Sequence, residues 1–125
     1  MMQLRIAGTV ENSIVDGEGI RYTIFVQGCP HGCPGCHNPQ THDFQGGKLV
    51  DAAVLLKEIA SDPLLDGVTF SGGEPFCQAA ALAALGKQVH DLGLNLVTYT
   101  GYTLEQLLAD GREDWMALLL SLIHI

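Results

Sequence analysis

The stretch CPHGCPGCHN, residues 29–38, places Cys29, Cys33 and Cys36 in one short segment, separated by three and then two residues. Closely spaced thiolates are typical of a soft metal site, and structural zinc sites and [4Fe–4S] clusters usually take four protein ligands. Three cysteines therefore indicate a cluster with one iron left open to a substrate. The prolines and glycines between the cysteines disfavour helix and strand, so the segment forms a loop that can wrap around a metal centre. We call residues 29–38 the cysteine loop.

Zinc is the alternative occupant of the cysteine loop. The three thiols together with His31, His37 or His42 would make a Cys3His structural site, which also tolerates short cysteine spacings. A structural disulfide is disfavoured, because three clustered thiols cannot all pair and nothing in the sequence indicates export. The spacing therefore predicts a metal site, while the choice between iron and zinc needs a second motif.

A second motif follows further along the chain. Residues 66–70 have the pattern of a short buried strand, and SGGEP, residues 71–75, comes directly after it. Pro75 suits the first position of a helix. Two glycines allow the backbone to approach a ligand closely, and Glu74 adds a carboxylate for a cationic group. An ordinary strand–turn–helix connection would also explain this segment on its own, but downstream of a CxxxCxxC loop it favours a cofactor site.

Together these motifs resemble the radical S-adenosylmethionine (SAM) activating enzymes, most closely those that serve anaerobic ribonucleoside-triphosphate reductase. The resemblance extends from about residue 4 to residue 123. Members of the broader class often have an aromatic residue before the third cysteine, where this chain has Gly35, so an adenine contact there must come from the backbone. The stretches that carry the resemblance are residues 13–21, 27–31, 33–39, 70–75 and 99–103.

The resemblance implies the cofactors and the residues that hold them. Cys29, Cys33 and Cys36 would each ligate one iron of a single [4Fe–4S] cluster, and the fourth iron would bind the amino nitrogen and carboxylate of SAM. Backbone or ring atoms next to the third cysteine would contact SAM, and the glycine turn would hold its methionine ammonium. The implied cofactor-binding residues are Gly35, Cys36, His37, Gly72, Gly73 and Glu74.

The resemblance also implies an oxidoreductase activity. The enzyme would cleave SAM reductively to methionine and a 5′-deoxyadenosyl radical, which takes a hydrogen atom from a glycine of the large chain of anaerobic ribonucleoside-triphosphate reductase. Reduced flavodoxin is the expected electron donor. Two alternatives remain: an activating enzyme of another glycyl-radical enzyme, such as pyruvate formate-lyase, and a non-catalytic zinc-binding module.

Composition favours a cytoplasmic enzyme that binds neither nucleic acid nor membrane. The net charge is −8, and the six Lys and Arg residues form no basic stripe of the kind that nucleic-acid binding requires. The N-terminus lacks the charged and apolar regions of a signal peptide, and the apolar segment 115–125 is too short to span a bilayer. We expect residues 1–125 to form a single radical SAM domain.

The order of strand and helix patterns predicts an α/β fold, namely a partial (βα) radical SAM barrel with a parallel sheet. Both motifs follow predicted strands, and active sites of such sheets lie beyond the carboxyl ends of the strands. Because the family continues into a further strand, we expect the chain to be truncated at its C-terminus. The predicted strands are 4–10, 21–27, 68–70 and 94–100, and the predicted helices are 51–61, 79–92, a short one from 103, and 115–122.

Several other reactive or polar side chains have structural explanations. Cys77 lies outside the cysteine loop, and we expect it to be buried as a small apolar residue. His90, near the end of a predicted helix, suits a helix-dipole partner. Arg21 suits a strand end, and Tyr99 and Tyr102 are candidates either for the wall of a SAM pocket or for the core and its rim.

Overall fold

The computed structural model describes residues 3–13, 19–28, 47–100, 104–110 and 112–120. The strands are β1 (Gln3–Ser13), β2 (Arg21–Val26), β3 (Lys48–Asp51), β4 (Gly67–Gly72) and β5 (Asn95–Thr98). The helices are α1 (Ala52–Ala60), α2 (Ala79–Asp91), α3 (Leu104–Asp110) and α4 (Glu113–Leu120), and a 3₁₀ turn, Pro75–Gln78, precedes α2.

The strands form one mixed sheet in the order β3-β1-β2-β4-β5. β2, β4 and β5 run parallel, whereas β1 pairs antiparallel with both β2 and β3. The predicted α/β fold with parallel strands is confirmed. The antiparallel pairing of β1 with β2 follows from the short connection between them, because parallel neighbours need a longer crossover. The four-residue strand β3 was not predicted.

One face of the sheet packs against the helices. Tyr22, Ile24 and Val26 alternate along β2 and are each at most 1% exposed, within a core that also contains residues of β4, β5 and the helices. On α1 the buried positions are Ala52, Leu55 and Ile59, whereas Val54 faces solvent. The helix begins where predicted, because the Asp51 carboxylate accepts a hydrogen bond from the Ala53 amide.

Arg21 crosses the opposite face of the sheet, at the amino end of β2. Its guanidinium is 1% exposed and donates to Thr69 Oγ1 at 2.6 Å, to the Val68 carbonyl at 2.8 Å and to the Asn95 carbonyl at 3.4 Å. Gly67 makes this crossing possible, since a Cβ there would lie 2.6 Å from Nη2. Arg21 therefore connects the amino ends of β2, β4 and β5. Its presence in the stretch 13–21, which carries part of the family resemblance, has a structural explanation.

Tyr22 gives the fold a dependence on alkaline pH. Burial and then a hydrogen bond to Glu58 raise the pKa of its phenol from the ordinary value of 10.0 to about 12. The folded state thus favours the neutral phenol, and the resulting stability is complete below pH 10 and is lost as the pH rises through about 12. A shift of this size corresponds to at most about 2–3 kcal/mol, and partial solvent screening of the phenol reduces this figure.

We therefore expect the urea-derived free energy of unfolding to fall between pH 9 and pH 11 more steeply for the wild type than for Tyr22→Phe. The phenylalanine variant keeps the ring in the core but has no proton to lose. If the free energy of unfolding fell equally with pH in the two proteins, the Tyr22 phenol would not cause the loss of stability at alkaline pH.

Candidate functional site

The two strands that precede the sequence motifs end side by side in the sheet. β2 leads into the cysteine loop and β4 leads into the turn Gly72–Glu74, and the two strands are parallel neighbours with Val26 opposite Gly72. The expectation that both motifs follow the carboxyl ends of strands is confirmed for β2 and β4, whose carboxyl ends lie next to each other. Cys29, Cys33, Gly35, Cys36 and His37 lie outside the described residues, so their roles stay predictions.

Backbone hydrogen bonds connect the glycine turn to the residues that precede Cys29. The Gly73 amide donates to the Val26 carbonyl, and the Glu74 amide donates to the Gly28 carbonyl, each at 2.8 Å. Gly28 is the residue directly before Cys29. Residues 26–28, which directly precede the cysteine loop, are therefore held against the turn that the sequence predicts to bind the methionine ammonium.

Gly72 is required by the conformation of this turn. Its φ is +94°, and a Cβ at this position would lie 2.7 Å from both the amide nitrogen and the carbonyl oxygen of Val26. Only glycine combines a positive φ with so close an approach of two backbones. The first glycine of the motif therefore permits the contact between the β2 and β4 ends.

Glu74 is the acidic group of the site and is fully buried. One carboxylate oxygen, Oε2, accepts from the Phe76 amide at 3.0 Å and from Thr100 Oγ1 at 2.7 Å, so Glu74 caps the 3₁₀ turn that begins at Pro75. A carboxylate offers about four lone-pair directions on its two oxygens. A buried carboxylate is stabilised by a cationic partner. The position of Glu74 therefore fits a carboxylate that binds a cationic group. Thr100, which orients this carboxylate, was missed from the sequence.

Cys77 is exposed, so the expectation that it is buried was wrong. The residues from Pro75 to Gln78 form a 3₁₀ turn, in which Pro75 and Phe76 are the buried residues. Phe76 takes the core position and meets Trp115 of α4 edge to face, with ring centroids 6.1 Å apart. The thiol instead borders an open cavity of about 230 Å³ next to Arg5 and Gln78.

Two of the remaining candidates, His90 and Tyr99, lie among the described residues. His90 lies in the last turn of α2, as predicted for a helix-dipole partner. Tyr99 follows β5 and is 48% exposed, which places it at a rim rather than in the core. Tyr102 lies outside the described residues.

Gly72 and Gly93 form a matched pair for testing the close approach at the site. Both have a positive φ, but a Cβ at Gly93 would meet nothing within 4 Å. We expect Gly93→Ala to cost about 1–2 kcal/mol, the backbone cost alone. Gly72→Ala should cost about 1–3 kcal/mol more, because it also overpacks the strand ends. Urea denaturation measures both, and equal losses would show that the approach of the two backbones is not tight.

The sequence of this chain is similar to those of several known proteins. Residues 15–125 match the family described as 4Fe-4S single cluster domain. Over 108 residues, 82% of this chain, the sequence is 40% identical to the pyruvate formate-lyase-activating enzyme of Clostridium pasteurianum. Over 105 residues, 78% of this chain, it is 38% identical to the anaerobic ribonucleoside-triphosphate reductase-activating protein of Pasteurella multocida (strain Pm70). The chain therefore belongs to the radical SAM activating enzymes that carry a 4Fe-4S single cluster domain.

The coverage of these relatives is partial. The chain spans 45% of the C. pasteurianum protein and 66% of the P. multocida protein. Among solved structures, QueE from Escherichia coli superimposes with a TM-score of 0.67, at 20% identity, over 80% of this chain and 53% of that one. At this identity the likeness shows a shared fold.

Within the part of the chain that the structure describes, no helix has the length and apolar character needed to cross a membrane.

Proposed function

We propose that this chain is an activating enzyme that uses a [4Fe–4S] cluster and SAM to generate the glycyl radical of anaerobic ribonucleoside-triphosphate reductase. The observation that carries the proposal is the pair of hydrogen bonds between the glycine turn and the residues before Cys29. They hold the residues directly before a three-thiol loop beside the turn that carries a buried carboxylate, and a cluster with an adjacent ammonium group would require such an arrangement. Family membership supports the same assignment.

Each group of residues has a distinct task in this proposal. Cys29, Cys33 and Cys36 would hold three irons of the cluster, and backbone or ring atoms of Gly35 and His37 would contact SAM. The turn of Gly72, Gly73 and Glu74 would receive the methionine ammonium, with the orientation of the carboxylate set by Thr100. When bound, the cluster and SAM supply one-electron reduction and a carbon radical, while the protein supplies position and exclusion of water.

The choice of partner rests on the cysteine loop. Pro30 and His31 after the first cysteine, and Pro34 and Gly35 before the third, favour the reductase. Pyruvate formate-lyase is the second candidate, because the relative that activates it is similar to this chain to the same degree. Reduced flavodoxin is the proposed electron donor and the cytoplasm the proposed location.

The test is radical transfer to defined partners. The chain is reconstituted anaerobically with iron and sulfide, reduced, mixed with SAM and then with either the reductase large chain or pyruvate formate-lyase. We expect a glycyl-radical signal in electron paramagnetic resonance (EPR) with the reductase and little with the lyase. The reverse preference would assign the chain to the lyase, and a colourless product that binds zinc would support the non-catalytic module instead.

A further inference from the structure

The residues that lead into the cysteine loop are held by more than the two backbone bonds described above. Between the carbonyls of Val26 and Gly28 lies that of Gln27, and it accepts a hydrogen bond at 3.3 Å from Nε2 of Gln78. The three consecutive carbonyls before Cys29 therefore each receive a donor from the segment 73–78. Two of these donors are peptide amides, and the middle one is a side chain.

Gln78 makes a further pair of bonds with the neighbouring strand. Its Nε2 donates to the Arg5 carbonyl at 2.8 Å, and its Oε1 accepts from the Arg5 amide at 2.9 Å. This pair imitates the pairing of two strand residues in a β-ladder. The Gln27 amide also donates to the Arg5 carbonyl, at 3.0 Å. One amide side chain thus connects β1, the end of β2 and the beginning of α2.

The position of Gln78 at the start of α2 indicates that its side chain serves to bond the strands rather than to cap the helix. Gln78 is the N-cap residue of α2, yet its side chain makes no capping hydrogen bond. N-cap positions usually carry Ser, Thr, Asp or Asn, which bond to the first amides of the helix. Here a longer amide occupies the position and reaches the strands instead.

We propose that Gln78 is a positioning residue that fixes residues 26–28, which lead into the cysteine loop, relative to the turn of Gly72–Glu74. The inference rests on the proposed function, in which the loop would hold the cluster and the turn would hold the ammonium of SAM. Gln27 is two residues before Cys29, so the position of its carbonyl constrains the point from which the first proposed iron ligand extends. A displacement of about 1 Å in such a site costs on the order of a hundredfold in rate.

The test uses Gln78→Met, which keeps the length of the side chain and removes its amide. Gln88→Met is the matched control, because Gln88 is an exposed glutamine on the same helix. Each protein is reconstituted anaerobically and reduced, and SAM is titrated while the EPR spectrum of the cluster is recorded. We expect Gln78→Met to hold as much iron as the wild type and to bind SAM about tenfold or more weakly. Gln88→Met should match the wild type in both.

A second variant and a second measurement separate positioning from stability. Gln78→Glu keeps an acceptor for the Arg5 amide but loses Nε2, which donates to the carbonyls of Arg5 and Gln27. It should therefore weaken SAM binding as Gln78→Met does. In the iron-free chain, the amides of Gly73 and Glu74 should exchange hydrogen faster in both variants, with the melting temperature close to that of the wild type.

The outcomes separate the inference from the proposed function. Wild-type SAM affinity in Gln78→Met, with a full complement of iron, would overturn the positioning role and leave the proposed function intact. Failure of both variants to fold or to hold iron would make Gln78 a stability residue and would also overturn it. A wild-type chain that holds iron but does not respond to SAM would contradict the proposed function, and the inference with it.

Discussion

Replacement of Cys29, Cys33 or Cys36 by alanine is expected to abolish the stable [4Fe–4S] cluster and, with it, all cleavage of SAM. Each thiolate holds one iron in the proposed site, and a cluster that already has an open iron has no protein ligand to spare. Iron and sulfide content after anaerobic reconstitution, together with the visible colour of the cluster, measures the first effect. The formation of 5′-deoxyadenosine measures the second.

Cys77→Ala is the matched control for these variants. Cys77 is the remaining cysteine of the chain, is exposed, and lies in the 3₁₀ turn rather than in the cysteine loop. Its loss should leave iron content and SAM cleavage at the wild-type level. A chain that kept its cluster without Cys36 and lost it without Cys77 would show that the ligands are wrongly assigned.

Glu74→Gln is expected to produce the second large effect, on SAM rather than on iron. The change preserves the shape of the side chain and an oxygen that can accept from Phe76 and Thr100, but it removes the charge. A hydrogen bond to a charged group contributes about 1.5–3 kcal/mol, so SAM affinity should fall about tenfold to a hundredfold. A SAM titration of the reduced cluster, with iron content measured in parallel, gives both quantities.

Thr100→Val separates the charge of Glu74 from its orientation. Valine has nearly the same shape as threonine, and the substitution removes the Oγ1 donor while the carboxylate keeps its charge. SAM affinity should therefore fall by about twofold to tenfold, less than in Glu74→Gln, because the carboxylate loses one of the hydrogen bonds that orient it. If Thr100→Val lost as much affinity as Glu74→Gln, the orientation of the carboxylate rather than its charge would be the controlling property.

Much of the fold could be predicted because its signals are local. The buried pattern of β4, the helical pattern of residues 51–61 and Pro75 at the start of a helical turn can each be recognised within a few neighbouring residues. The alternation of strands and helices then predicted parallel neighbouring strands. The carboxyl ends of parallel strands lie on the same side of a sheet. The sequence alone therefore predicts that the two motifs lie at one site.

The features that were missed depend on contacts between distant parts of the chain. Gln78 bonds to Arg5, which lies 73 residues away, and Thr100 bonds to Glu74 across 26 residues. No local pattern in the sequence predicts either contact. β3 has only four residues, too few for a clear period, and its pairing with β1 defines it. Cys77 was misjudged because a 3₁₀ turn rather than an α-helix precedes α2.

The central claim is that the chain holds a cluster with one open iron next to a turn that receives the ammonium of SAM. The most direct test is the EPR spectrum of the reduced, reconstituted wild-type chain, recorded without SAM and with SAM labelled with ¹⁵N in its amino group. We predict a change in the cluster signal on addition of SAM and a hyperfine coupling to the ¹⁵N nucleus. A cluster signal that SAM leaves unchanged, with no such coupling, would contradict the account.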